Sequence, residues 1–106
     1  MSNGIIDRPE GGWTFVTTHT LVLLCIAADP EMRLSDIAAR VGVTERRVQS
    51  IVNELEASGY VTRIRHGRRN RYEIEGNLPL RHVETEHRQL GELLSLLSSH
   101  AQRAAG

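Results

Sequence analysis

Apolar residues in the first third of the chain form one dense run. The segment HTLVLLCIAA is apolar on nearly every side and stops at Asp29-Pro30, where the proline cannot continue a helix. Thr17 or Thr18 can cap its start, because a threonine hydroxyl accepts from the unpaired N–H groups of a first helical turn. The pattern predicts a buried first helix over residues 18–28.

Two amphipathic segments follow this run. Ser35 is a candidate N-cap for a second helix, DIAARV, which Gly42 would end. Thr44 is the candidate cap of a third helix over residues 44–58, and Gly59 stands where a helix can close with a left-handed residue. The apolar residues of the third segment recur at the spacing of one buried helical face: Val48, Ile51, Val52 and Leu55.

The pattern then changes from helix formers to strand formers. YVTRIR and NRYEIE are short runs rich in β-branched and aromatic residues, separated by residues 66–69. We expect a β-hairpin with a four-residue loop. Because side chains alternate along a strand, Tyr72 and Ile74 should face the core and Arg71 should point outward.

A helical pattern returns after the break at residues 76–79. From Leu80 to Arg103 apolar positions recur in a seven-residue repeat, which predicts a long C-terminal helix. Three helices and a hairpin already cover a core of this size, so we expect this helix to join a second copy in a homodimer; folding back on its own chain is the alternative. The predicted interface residues are Val83, His87, Leu90, Leu94, Leu97 and Ala101.

Length and composition fit one folded domain. The chain has 106 residues, 40% hydrophobic and 25% charged, which is ordinary for a globular protein. We expect a flexible arm over residues 1–12, the domain proper over 13–79 and a dimerisation helix over 80–106. No apolar run reaches the roughly 20 residues that cross a bilayer, and the N-terminal residues lack a signal-peptide core, so we expect a cytoplasmic protein without a membrane partner. The single cysteine, Cys25, should be a small buried hydrophobe.

Positive charge is concentrated in one segment, although 13 basic and 13 acidic residues cancel overall. RIRHGRRNRY, residues 63–72, contains five arginines, and no acidic residue lies between Ala57 and Tyr72. Arginines on a hairpin beside a helix can neutralise DNA phosphates and enter the negative minor groove; a solvated surface hairpin is the alternative. The lack of a nearby acid favours DNA contact. The predicted contacts are Arg65, His66, Arg68, Arg69, Asn70 and Arg71, with Arg68 in the minor groove.

Three stretches carry a resemblance to a known family. The helix pair LSDIAARVGVTERRVQSIV, the exit LEASGYVTR and the hairpin RHGRRNRYEI resemble winged helix-turn-helix transcriptional regulators of the MarR and ArsR type, over about residues 15–75. The resemblance implies a mainly α fold with a small β-hairpin, the wing, and dimers that join through terminal helices and bind pseudo-palindromic operators. MarR-type wings commonly read Asp-Arg-Arg, and this chain has Gly67 in place of the acid.

The third helix is the expected recognition helix, because its first turns would enter the major groove. Arginine can bind guanine through O6 and N7, and glutamine can bind adenine through N6 and N7, so Arg46, Arg47 and Gln49 are the strongest candidates for base contacts. Glu45 could accept from cytosine or could simply favour the helix dipole. The full set of predicted contacts on this helix is Thr44, Glu45, Arg46, Arg47, Gln49, Ser50 and Asn53.

These observations predict a sequence-specific, double-stranded DNA-binding transcriptional regulator, a repressor acting as a homodimer. The alternative is a winged-helix module that binds proteins and not DNA. No catalytic motif is recognisable, so we expect neither an enzyme nor a cofactor. His82 and His87 are five residues apart, a poor spacing for shared ligation, so no metal is expected. A small-molecule effector of unknown identity could bind near Trp13 and Phe15.

Overall fold

The computed structural model describes residues 12–98. These residues form four helices and one two-stranded antiparallel hairpin, which confirms the predicted mainly α fold with a small β-hairpin. Most of the expected N-terminal arm and the end of the expected C-terminal helix lie outside the described residues. The elements are α1 (Thr18–Ala28), α2 (Leu34–Val41), α3 (Glu45–Ala57), β1 (Val61–His66), β2 (Arg69–Ile74) and α4 (Leu90–Leu97).

Helix α1 forms over the residues that the apolar run predicts. The Thr17 hydroxyl oxygen accepts a hydrogen bond from the backbone N–H of Thr20 at 3.2 Å, which makes Thr17 the N-cap. The helix ends at Asp29, whose N–H donates to the Cys25 carbonyl at 3.0 Å. Because the run is apolar on every side, α1 can pack against α2, α3 and α4 at once.

Helix α2 begins two residues earlier than predicted. Arg33 is its N-cap, with extended backbone and no side-chain cap bond, so the prediction that Ser35 caps this helix is wrong. The Arg33 carbonyl accepts the N–H groups of Asp36 and Ile37, both at 3.0 Å, and thereby places Ser35 inside the first turn. Gly42 ends the helix at φ +87°, a conformation that suits glycine.

Helix α3 has the predicted cap and the predicted buried face. The Thr44 hydroxyl oxygen accepts from the Arg47 N–H at 3.0 Å. Beyond the C-cap Ser58, Gly59 has φ +85° and Tyr60 donates its N–H to the Leu55 carbonyl at 2.9 Å. The four apolar residues of the helical stripe are all buried: Val48, Ile51, Val52 and Leu55.

The hairpin is tighter than predicted. Strand β1 runs to His66 and β2 begins at Arg69, and these two residues are paired, so the four-residue loop is wrong and a two-residue turn joins the strands. The turn begins at Gly67 with φ +65°, a position where glycine removes the steric penalty of type II′ turns. Tyr72 is 3% exposed, as the alternation predicts, and its N–H donates to the Pro30 carbonyl at 2.9 Å.

One core lies where the helices and the hairpin meet. Cys25 is buried in it, as predicted, and burial raises the pKa of its thiol. Both strands and α4 also contribute a buried side chain. The core residues outside α3 are Val22, Leu23, Cys25, Ile26, Ile37, Ala38, Val61, Tyr72, Leu90 and Leu94.

The prediction of a helix starting near Leu80 is wrong, because residues 81–88 form turns and bends, Gln89 forms a β-bridge with Pro79, and α4 begins at Leu90. The backbone closes this segment into a loop. The Leu80 N–H donates to the Arg88 carbonyl and the Leu90 N–H donates to the Leu78 carbonyl, both at 2.9 Å. These long-range bonds replace the local bonds that a helix would have used.

The predicted seven-residue stripe is therefore not one continuous helical face. Val83 and His87 lie in the loop and are exposed. Leu90 and Leu94 are buried in the core of their own chain, whereas Leu97 and its neighbour Leu96 are exposed. Ala101 lies outside the described residues.

Helix α4 starts against the end of the hairpin. The Gly91 N–H donates to the Gly76 carbonyl at 2.8 Å. A Cβ added at Gly91 would lie 3.1 Å from that carbonyl oxygen, so glycine permits this approach. The Gln89 side chain accepts from the N–H of Glu92 while Glu92 accepts from the Gln89 N–H, a reciprocal cap that lowers the pKa of Glu92.

Candidate nucleic-acid interface

The polar face of α3 points away from the core. Because the apolar stripe fixes the rotation of the helix, the residues predicted to read bases lie opposite it. Glu45, Arg46, Arg47 and Asn53 are exposed, and Gln49 is half-buried. Together with part of α2, this face lines an open concave surface formed by Leu34, Glu45, Arg46, Gln49, Ser50 and Asn53.

The start of α3 already uses one of the predicted contact residues. The Thr44 hydroxyl accepts from a backbone N–H in its own first turn, and this bond fixes where the helix begins. Glu45 stands in that first turn, where a carboxylate favours the positive end of the helix dipole. Both residues therefore have a role in forming the helix end.

A polar network joins α3 to β1. Gln49 donates from Nε2 to Asn53 Oδ1 at 3.0 Å, and Arg63 donates from Nη2 to the same oxygen at 3.2 Å. The same Arg63 nitrogen lies 2.7 Å from Glu56 Oε1. The network places the outward face of α3 directly beside the wing.

Arg63 and Glu56 are absent from the predicted site residues. Strand alternation carried the missing signal, because Arg63 pairs with the buried Tyr72 across the hairpin and shares its inward face. The Arg63 side chain is 31% exposed, and its guanidinium carbon lies 5.9 Å from the centre of the Tyr72 ring. Arg63 is thus held inside the fold, unlike the exposed arginines of the same segment.

The tip of the wing consists of Arg65, Gly67 and Arg68, all exposed. Arg65 donates from Nε to the Gly67 carbonyl at 3.0 Å and so curls over the turn. Within residues 12–98, no ion pair involves Arg65 or Arg68. Asn70 is half-buried and pairs with Arg65 across the hairpin.

The base of the wing contacts Glu31 in the connection between α1 and α2. Glu31 Oε2 lies 2.9 Å from His66 Nδ1 and 3.7 Å from Arg71 Nη1. Arg69 donates from Nη1 to the Glu31 backbone carbonyl at 3.0 Å. The arginine run therefore has acidic partners after all: Glu31 and Glu56, which are distant in sequence, contact it in the folded chain.

An apolar cavity of about 520 Å³ lies at the other end of α3, between the start of α1 and the loop that precedes α4. Phe15 lines it, as the sequence suggests, and Trp13 packs edge-on against Phe15 with ring centres 5.0 Å apart. His19 Nε2 lies 2.6 Å from Glu54 Oε1 at the wall, and this hydrogen bond lowers the pKa of Glu54. Other lining residues are Leu23, Leu55, Tyr60, Leu80, Arg81 and Leu90.

Neither a metal-binding cluster nor a membrane-spanning helix occurs in the part of the chain that the structure describes. There, no three His, Cys, Asp or Glu side chains are grouped closely enough to hold a metal ion. His82 Nδ1 instead accepts from the backbone N–H of Glu84 at 3.0 Å. None of the described helices has the length and apolar character to cross a membrane.

The sequence and the fold are both similar to those of known proteins. A sequence model of the MarR family matches residues 15–71. A MarR family protein of Mycobacterium tuberculosis, solved with salicylic acid, is similar with a TM-score of 0.51 and 20% identity over 85% of this chain and 60% of that chain. The M. tuberculosis transcriptional regulator MosR is similar with a TM-score of 0.48 and 17% identity, over 89% of this chain and 58% of that chain. This chain thus spans less than two thirds of either structure, and no curated protein matches it significantly.

Proposed function

Because the chain belongs to the MarR family of transcriptional regulators, we propose that it is a sequence-specific repressor that binds double-stranded DNA as a homodimer. Helix α3 enters the major groove, and the wing follows the phosphate backbone into the minor groove. The supporting observation is the Arg63 network, which joins the outward face of α3 to the wing strand. A duplex would meet both elements along one surface.

Base contacts fall to the first half of α3. Arg46 and Arg47 are exposed there and can each bind a guanine through O6 and N7, while Gln49 can bind an adenine through N6 and N7. Each good bidentate pair contributes about 1 to 3 kcal/mol of discrimination. Ser50 and Asn53 complete the reading surface.

The wing contributes affinity independent of sequence. Arg68 at the tip enters the minor groove, and Arg65 contacts phosphate beside it, because exposed guanidiniums without acidic partners are available for an anionic ligand. Arg69 and Arg71 approach the backbone from the base of the wing. His66 and Asn70 can donate hydrogen bonds to phosphate oxygens.

A homodimer would place two such surfaces on two half-sites, about one helical turn apart. In α4, Leu96 is 74% exposed and Leu97 is 39% exposed, so we expect the dimer contact at the predicted Leu97 and at Leu96, and no longer at the buried Leu90 and Leu94. Changing Leu96 to aspartate should give monomers by light scattering, because it places a charge in the expected apolar contact. The fold should persist, since Leu96 lies outside the buried core. A dimeric mass for this variant would exclude α4 as the interface.

The experiment that tests the proposal is selection from a random DNA pool, followed by a salt series on the selected duplex. We expect a palindromic motif and an affinity that falls steeply with ionic strength, with a slope of about 0.9 for each phosphate contact. An affinity weaker than about 100 µM at low salt would instead favour the protein-docking alternative.

A second role is supported by the cavity beside Phe15. Its volume lies within the range of small-molecule sites, its lining is mainly apolar, and Arg81 lies at its wall. The similar M. tuberculosis protein was solved with salicylic acid. We propose that a small apolar molecule with one acidic group binds here. Salicylate should bind the wild-type chain in a calorimetric titration and bind Arg81→Ala more weakly; equal binding would remove Arg81 from the site.

A further inference from the structure

The network between α3 and β1 has only one chemically consistent arrangement. An arginine guanidinium has donors only, so the Asn53 atom that faces Arg63 must be the amide oxygen. The same oxygen faces Gln49, which must therefore present its nitrogen. Arg63 thus determines the orientation of the Asn53 amide and, through it, of the Gln49 amide, although Arg63 lies on a different element.

This orientation matters for base reading. Gln49 Nε2 uses one hydrogen on Asn53, which leaves its second hydrogen and Oε1 for a base edge. A donor beside an acceptor matches adenine, which offers N7 as an acceptor and N6 as a donor in the major groove. A Gln49 amide turned by 180° would point its nitrogen and oxygen the opposite way.

Arg63 is itself held rigidly enough to impose this arrangement. Glu56 accepts from Nη2 at 2.7 Å and the guanidinium carbon lies 5.9 Å from the Tyr72 ring centre, whereas the buried Nε has no hydrogen-bond partner among the described residues. Its place on β1 is fixed by the pairing with Tyr72. Within residues 12–98, Arg65 and Arg68 have no ion pair and can face DNA, whereas Arg71 lies near Glu31 and Arg63 is held by Glu56.

We propose that Arg63 is a specificity-determining positioning residue, which acts through Asn53 to orient the Gln49 amide for adenine. The inference rests on the proposed function, because it assumes that Gln49 reads a base. Arg63 contacts no DNA in this scheme. Its loss should therefore weaken the preference for adenine and leave the number of phosphate contacts unchanged.

The test compares the motifs that full-length variants select from a random DNA pool. Gln49→Ala should lose preference for adenine at one base pair of each half-site, by about tenfold. Arg63→Met should lose preference at the same base pair, and the double variant should lose no more than Gln49→Ala alone. Arg63→Lys should restore part of the preference, because an ammonium group is also only a donor.

Two further variants keep the test valid if Arg63→Met fails to fold. Asn53→Ala removes the oxygen that Gln49 faces, and Glu56→Ala removes the carboxylate that holds Arg63, so both variants should weaken the adenine preference at the Gln49 base pair. The salt slope of Arg63→Met should equal that of the wild type.

The outcomes separate the inference from the proposed function. If Gln49→Ala weakens the adenine preference but Arg63→Met and Asn53→Ala keep it fully, the positioning role of Arg63 is wrong and DNA reading by Gln49 stands. If Gln49→Ala selects the wild-type motif, Gln49 reads no base and the inference falls with that part of the proposal. A reduced salt slope in Arg63→Met would mean that Arg63 contacts phosphate directly, which also overturns the positioning role.

Discussion

The tip and the base of the wing carry the same residue type in different surroundings. At the tip, Arg68 is exposed and has no ion pair within residues 12–98. At the base, Arg63 contacts Glu56 and Arg71 lies near Glu31. A single run of positive charge in the sequence therefore divides into two groups once the chain is folded.

Acidic residues far away in sequence therefore determine which arginines of the wing are available to a ligand. Glu31 is 35 positions from His66, yet it lies 2.9 Å from that side chain. An arginine that is already paired must give up its partner before it can bind phosphate, whereas an unpaired arginine exchanges only water and counterions. The tip is thus suited to binding DNA and the base to holding the hairpin in place.

The largest expected effect is the loss of stability in Arg63→Ala. This change removes hydrogen bonds to Glu56 and Asn53 and the packing of a half-buried stem, so the free energy of unfolding should fall by about 2 kcal/mol in urea denaturation. Arg65→Ala, two residues along the same strand, is the matched control and should change stability by less than about 0.5 kcal/mol. Equal losses in the two variants would abolish the distinction between base and tip.

A smaller effect, on DNA binding, is expected for Arg68→Ala. Loss of one phosphate contact should reduce the slope of log affinity against log salt by about 0.9, with little change in stability. Arg88→Ala removes the same charge outside the wing and should leave the slope unaltered. Gel shifts at several salt concentrations measure both variants, and an unchanged slope in Arg68→Ala would exclude the tip from DNA contact.

Changing Glu31 to glutamine should leave Arg71, at the base of the wing, without its acidic partner, as Arg68 is at the tip. The ion pairs with His66 and Arg71 are partly exposed, so the loss of stability should be only about 0.5 kcal/mol. Release of Arg71 should meanwhile steepen the salt slope, because one more guanidinium becomes available to phosphate. A slope equal to that of the wild type, measured on the same duplex, would show that Glu31 does not restrain these side chains.

The smallest effect concerns the hydrogen bond between His19 and Glu54, which lies outside the wing and serves as a control. The pKa of Glu54 is lowered in the folded state, so its contribution to stability is present above the unfolded pKa and disappears as the pH falls through the folded value, below about 4.5. In His19→Ala the free energy of unfolding should fall less steeply as the pH is lowered, and the salt slope for DNA binding should be unchanged. Acid denaturation curves that superimpose would contradict the pairing.

The helix-turn-helix and the hairpin could be predicted because their signals are local. Thr44 caps the helix that it precedes, Gly42 and Gly59 adopt positive φ values, and the stripe from Val48 to Leu55 is buried. The tight turn at Gly67 differs from the predicted loop by only two residues. Hydrophobic period and turn chemistry were sufficient for these elements.

The C-terminal segment was mispredicted because tertiary bonds determine it. The seven-residue repeat counted Val83 and His87 as part of a stripe, although residues 80–89 contain few apolar side chains. The bonds from Leu80 to Arg88 and from Leu90 to Leu78 cannot be read from periodicity. One local signal could have found the true start: Gln89 with Glu92 three residues later forms a capping box.

The sequence predicted the exposure of several residues on α3, but it did not predict the acidic partners of the wing. Arg46, Arg47 and Asn53 are exposed on α3, because the apolar stripe alone fixes the rotation of that helix. Glu31 and Glu56 were missed because ion pairs between distant segments have no sequence spacing. They could be recognised only after α1, α3 and the wing had been packed together.

The contact between Gly76 and Gly91 joins the end of the hairpin directly to the start of α4. Their backbones meet through one hydrogen bond of 2.8 Å, with no side chain between them to absorb a displacement. The first turn of α4 therefore cannot shift relative to the end of the hairpin without breaking this hydrogen bond or separating the two glycines.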